Sequence, residues 1–242
     1  MHERPILFSA AMVRAILDGH KTQTRRLVKP YRGNALVDLR HAEDRPDIYS
    51  SRRDDPESWG YQFLDDGAPA TLADWATILC PYGTPGDRLW VRETFAIESS
   101  VEGSSQQLPH TDGRPVQYAP DDDVEGILPA WRQPHYRATD PAPDLTCDRA
   151  NCAQCRDHDM GPHWQPSIHM PRWACRLVLE ISDVRVERLQ AISEADVVAE
   201  GVSTPGPFAV HHFRDVWASI NGQASWDADP WVWVITFKRI TP

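Results

Sequence analysis

Residues 18–26 read DGHKTQTRR, and the way this stretch divides decides the fold. Upstream, AAMVRAILD (10–18) places Met12, Val13, Ile16 and Leu17 on one helical face, and Gly19 supplies the stop that such a helix needs. Downstream, TQTRRLV (22–28) has the composition of a strand, which Pro30 ends. The junction packs His20, Lys21, Arg25 and Arg26 around Thr22 and Thr24, in a chain with 35 acidic against 25 basic residues and a formal net charge of -10. Such a balance excludes attraction of the whole surface to a nucleic-acid backbone or an anionic membrane, so any such binding is local.

Working outward, the regular segments are few and well separated. PGDRLWVRETFAI (85–97) has a Pro-Gly-Asp turn feeding a strand whose Leu89, Val91, Glu93 and Phe95 share one face, which leaves a carboxylate on an otherwise apolar surface. RLVLEISDVRVERL (176–189) reads as two consecutive strands or one bent strand. ISEADVVAEGV (192–202) carries helix signals: Ser193 as N-cap with Asp196 three residues later, Ile192 and Val197 as a hydrophobic staple, Gly201 as stop and Glu200 on the last turn. A further helix is marked by Phe213, Val216, Trp217 and Ile220 and ends at Asn221-Gly222, and WVWVITFKRI (231–240) is a strong strand.

The 242 residues suit a single domain, 1–242, whose 10 Trp and 21 Pro predict a β-rich body with long irregular excursions. Two of these are expected, at about 32–75, where only WGYQFLDDG (59–67) looks like strand and turn, and at about 98–166, bracketed by VQYA and HYRAT as strands. No run is long enough to span a bilayer, so no membrane partner is expected. The opening MHERPILFSAAMVRAIL lacks a secretory pattern, and five cysteines, an odd number, fit a reducing compartment; both predict a cytoplasmic location.

The segments DGHKTQTRR (18–26), PGDRLWVRETF (85–95), LQAISEADVVAEGV (189–202) and WVWVITFKRI (231–240) together resemble the ASCH family, over about half of the chain in pieces. With ILFSAAMVRAILDG and WQPSIHMPRWACR added, the layout is also similar to phage and prophage ASCH-type proteins. The resemblance implies an α+β fold, a PUA-like mixed β-barrel with helices over its ends, here carrying two long insertions, and a cleft suited to a nucleobase or RNA. Within the family, the small bacterial amidohydrolases acting on N4-acetylcytidine have a K-T-x-T motif that matches Lys21 and Thr24, and a helix-borne Glu that maps onto Glu200. That likeness implies hydrolysis of the amide of an N4-acylated cytidine or related modified nucleoside.

The residue chemistry is compatible with such a site. A threonine hydroxyl attacks only when a base takes its proton, and a lysine serves as base only when desolvation or nearby cations lower its proton affinity. Lys21 and Thr24, three apart, share a side of a strand only if the chain bends near Gly19–Thr22. Glu200 then protonates the leaving amine or orients the lysine, and both roles stay open. Arg25, Arg26, Glu93, Arg172 and Trp173 are the candidate substrate-binding residues, with His169 beside the last two. The plainer readings are a solvated β-edge for KTQTRR, an ordinary helix residue for Glu200 and a core position for Trp173. On the alternative functional reading the chain is a non-catalytic RNA- or nucleotide-binding module, or a ribonuclease, with Lys21, Arg25 and Arg26 on phosphates.

A second constellation lies in CDRANCAQCRDHDMGPHW (147–164). Cys147, Cys152 and Cys155, with His158 or His163, make a donor set for a closed, structural zinc site. The other reading is unliganded loop thiols. No organic cofactor is expected, and Cys80 and Cys175 read as buried thiols.

Overall fold

The computed structural model describes residues 1–29, 36–41, 58–63, 75–99, 109, 111–118, 131–140, 164–202, 206 and 208–240. In chain order the elements are β1 (Glu3–Leu7), α1 (Ala10–Leu17), β2 (Gln23–Leu27), β3 (Leu36–His41), β4 (Ser58–Phe63), β5 (Trp75–Leu79), β6 (Arg88–Arg92), β7 (Phe95–Ser99), β8 (Gln117–Tyr118) and β9 (Trp131–Tyr136). They continue with β10 (Val178–Arg188), α2 (Glu194–Ala199), α3 (Ala209–Asn221), α4 (Gln223–Asp227) and β11 (Trp231–Ile240). The strands form a five-stranded sheet, β1-β6-β10-β11-β2, and two three-stranded sheets, β3-β4-β5 and β7-β9-β8. The expected α+β class is borne out. Among the described residues no sheet closes on itself.

The opening stretch divides as its residues dictate. On α1 the apolar positions Val13 and Ile16 are buried, and Gly19 leaves the helix at φ +76°, a backbone region that only glycine enters without strain. β2 then pairs antiparallel with β11 in the register Leu27–Val232, Arg25–Val234 and Gln23–Thr236. The 176–189 segment is one long strand, β10. The 85–97 segment is two strands, β6 and β7, with Leu89, Val91, Glu93 and Phe95 all buried, so its alternation is as expected.

Three readings are corrected. The first excursion contains an antiparallel sheet, in which β4 lies between β3 and β5, where only the middle strand was expected. Its short strands alternate too little to stand out from an Asp- and Pro-rich background. The HYRAT strand is displaced toward the N-terminus: β9 begins at Trp131, and Tyr136 is its last residue. On α3 the buried face is Ala209, Phe213 and Trp217, while Val216 and Ile220 are exposed. Phe213 and Trp217 are one helical turn apart and suffice to seat the helix.

The chain divides into two compact units, Met1–Arg4 with Asp18–Leu89 and Leu179–Arg239, and Pro5–Leu17 with Trp90–Val178 and Ile240–Pro242. The first contains a core of Leu189, Ile192, Val197, Ala209, Phe213, Trp217, Val232 and Val234. Ile192 and Val197 therefore meet in one cluster, as a staple requires. The same unit holds the turn before β6. There Gly83, at φ +120°, leaves no room for a Cβ, which would lie 2.7 Å from Arg4 Nη1 and 2.8 Å from Asp87 Oδ2. The second unit has a core of Phe95, Tyr136, Met170 and Ala174, with Trp173 packed on it.

Candidate functional site

The site is built where α2 ends against the start of β2, within the first unit. Ser193 Oγ accepts from Asp196 N at 3.1 Å and so caps the helix. Two turns later Glu200 is the C-cap residue, and Gly201, at φ +85°, turns the chain away. An isolated antiparallel bridge pairs Lys21 with Glu200, and Thr22 N donates to Ala199 O at 2.8 Å.

A carboxylate at a helix C-terminus is unfavourable by itself, since the unsatisfied carbonyls there are also negative. Lys21 resolves both problems. Its Nζ donates to Glu200 Oε2 at 2.6 Å and to Glu200 O at 2.8 Å, neutralising the side chain and satisfying the helix-end carbonyl at once. The lysine side chain is 0 % exposed and that of Glu200 6 %. Burial lowers the proton affinity of Lys21 below the ordinary value of 10.5, Glu200 opposes this, and Arg26 and Arg25 add to the lowering.

Arg25 occupies the other oxygen of Glu200, with Nη1 3.3 Å from Oε1. Its remaining donors go to Gln23 Oε1 (2.8 Å from Nη1), to Glu187 Oε1 (3.1 Å from Nε, with Nη2 also in contact) and to Asp196 Oδ2 (3.3 Å from Nη2). The guanidinium carbon lies 5.9 Å from the Phe213 ring centroid. Arg185 completes the cluster, with Nη2 2.9 Å from Asp196 Oδ1 and Nε 3.4 Å from Glu187 Oε2. Burial works to raise the Asp196 carboxyl, but hydrogen bonds from Ser193 and Gln23 and the charges of Arg25 and Arg185 outweigh it and bring it down to about 2.

The strand period explains who is present. Gln23 and Arg25 touch each other and so share one face of β2, which puts Thr24 and Arg26 on the other. Lys21, ahead of the strand's first residue, feels the charges of both Arg25 and Arg26. Thr24 is itself buried, at 2 % exposure, beside them in sequence. Burial also lowers Arg26, which Tyr82 and Glu200 oppose. His20 and Thr22 are exposed.

Among the expected residues, then, the structure brings Lys21, Arg25 and Glu200 into direct contact. Glu93 belongs to the second unit, 1 % exposed, where Arg176 clamps it through Nε to Oε1 and Nη2 to Oε2, both 2.9 Å. The Arg176 guanidinium lies 3.9 Å over the Tyr136 ring, whose hydroxyl donates to Ala174 O at 2.9 Å. Burial raises the Glu93 carboxyl despite the arginine. Arg172 is exposed and Trp173 half-buried in that unit. Sequence reasoning missed Gln23, Arg185 and Glu187 and took Asp196 only as part of a cap. The period-two spacing of Lys21, Gln23 and Arg25 was the available signal.

Cys147, Cys152, Cys155, His158 and His163 lie outside the described residues. Cys80 and Cys175 are buried and in no disulfide among the described residues, as expected, and burial pushes the Cys80 thiol up to about 11. No described helix is long and apolar enough to cross a membrane. Comparison with protein-family models, with curated proteins and with solved structures found no match to this chain.

Proposed function

We propose that this chain is an ASCH-type hydrolase of the PUA-like class that cleaves the amide of an N4-acylated cytidine or a related modified nucleoside. The observation that supports this reading is a fully buried lysine, Lys21, gripped through its Nζ by Glu200 at 2.6 Å and depressed in proton affinity by burial. A merely structural cation has no need of two cationic neighbours working against its charge; a base does.

In the proposed reaction the neutral fraction of Lys21 that its lowered proton affinity supplies accepts the Thr24 hydroxyl proton as Oγ attacks the acyl carbonyl carbon. The C–N bond then breaks and that proton passes to the departing cytosine amine, leaving an acyl-threonine ester. Water hydrolyses the ester, with Lys21 again taking a proton and returning it to Thr24 Oγ. Glu200 orients the lysine, since its Oε2 is on Lys21 and its Oε1 on Arg25. Arg26, on the Thr24 face of the strand, is the cation this reading assigns to the developing oxyanion. We also propose a structural zinc held by Cys147, Cys152, Cys155 and His158 or His163. Such a closed donor set would stabilise its segment without activating water.

The test follows release of the acyl group from a panel of N4-acylated cytidines by wild type, Lys21→Ala and Thr24→Ala. Turnover by the wild type and a loss of at least about a thousandfold in each variant is expected, because a nucleophile and its base act as one unit. Full activity in Thr24→Ala overturns the covalent step. Inactivity of the wild type across the panel, with retained nucleoside or RNA binding, transfers the case to a binding module.

A further inference from the structure

Three carboxylates and one amide converge on a single guanidinium that has no exposed surface. Arg25 is 0 % exposed as a side chain, and each of its three nitrogens has a carboxylate partner: Nε and Nη2 meet Glu187, Nη2 also meets Asp196, and Nη1 meets Glu200. Gln23 Oε1 holds Nη1 from within the same strand. Such a group has no donor left over for a phosphate or a base, and only a planar fork serves several acceptors in fixed directions. The partners come from three different elements: Gln23 from β2, Glu187 from β10 and Asp196 from α2. Its position is therefore set by the fold rather than by its own chain flexibility.

We propose that Arg25 is the positioning residue of this site: immobilised by Glu187, Asp196 and Gln23, it takes Glu200 Oε1 and thereby aims Oε2 at Lys21. The catalytic part of this inference rests on the hydrolase reading; the positioning part does not. The consequence is that Glu200 is committed as an orienting carboxylate, which decides between the two roles that the sequence left open. The groups facing Lys21 are Glu200 at the end of α2 and Arg25 and Arg26 on β2. Removing the Arg25 charge takes away a group that lowers Lys21 and a partner that shares Glu200 with it, so the lysine must hold its proton to higher pH, with Arg26 still acting the other way.

The experiment combines an NMR titration of Lys21 Nζ with kinetics on N4-acetylcytidine, in wild type, Arg25→Met, Arg25→Lys and Glu187→Gln. Arg25→Met should move the Lys21 titration upward by about one unit, a tenfold gain in proton affinity. Arg25→Lys keeps the charge but loses the fork, and should lower kcat at least tenfold with KM within about twofold. Glu187→Gln, the mildest change, frees Arg25 of its strongest partner and should lower kcat in the same direction should Arg25→Met fail to fold. A purely structural role predicts lowered thermal stability with the Lys21 titration and kcat both unmoved, and that result overturns the proposal. If the wild type turns over no acylated cytidine, the hydrolase reading fails, while the Lys21 titration alone still decides for or against positioning.

Discussion

Replacing Glu200 with Gln removes the carboxylate that accepts from Lys21 Nζ at 2.6 Å and leaves a buried cation without that counterion. Breaking one side of a buried pair costs about 3–5 kcal/mol; the amide oxygen of Gln still accepts a hydrogen bond, so the lower end, about 3 kcal/mol, is expected near neutral pH. The sign of the pH dependence is fixed by Lys21. Its folded proton affinity lies below the ordinary 10.5, so between the two values the unfolded chain holds the proton and stability rises with pH. Glu200 is the group that raises Lys21, and without it the window extends to lower pH. In that added window the variant's buried lysine is neutral while the wild type's is charged. The deficit of Glu200→Gln therefore shrinks as pH rises, by up to about 1.4 kcal/mol per unit. Urea unfolding at pH 6, 7.5 and 9 reads this as a midpoint shift, about 1.5 M at a slope of about 2 kcal/mol/M. The double variant with Lys21→Met should recover part of the loss, since it removes the stranded charge. A deficit below about 1 kcal/mol at every pH, or one that grows with pH, refutes the account of the pair.

Two further outcomes are expected. Asp196→Asn should cost about 2 kcal/mol at pH 7, because the carboxyl is held at about 2 against an ordinary 3.8; this contribution is present above pH 3.8 and lost as pH falls through 2, so unfolding curves of variant and wild type should converge near pH 2. Purified protein should carry about one zinc per chain by metal analysis, and Cys152→Ser should lose most of it; full retention would dismiss the donor set of Cys147, Cys152, Cys155 and His158 or His163.

The sequence by itself determined the local pieces of this protein. The Gly19 stop, the Ser193 cap, the Ile192–Val197 staple and the alternation of Leu89, Val91, Glu93 and Phe95 are each written in residues a few positions apart, and each forms as its short-range sterics and hydrogen bonding require. Lys21 and Glu200 were legible as candidates through a family resemblance, yet nothing local says that they touch: 179 positions separate them, and β2 and α2 had first to fold against a shared core. The tertiary structure alone decided what surrounds them. Glu187 on β10 and Arg185 beside it look like surface charges of an exposed strand, and only the packing of β10, β11, β2 and α2 brings Glu187 onto Arg25, with Arg185 joined to it through Glu187 and Asp196. The physical reason is range. Caps and periodicity act over one or two turns of chain, whereas a buried charge must be compensated by whichever partners the fold brings within hydrogen-bonding distance, and those partners carry no mark in the sequence until the chain has closed around them.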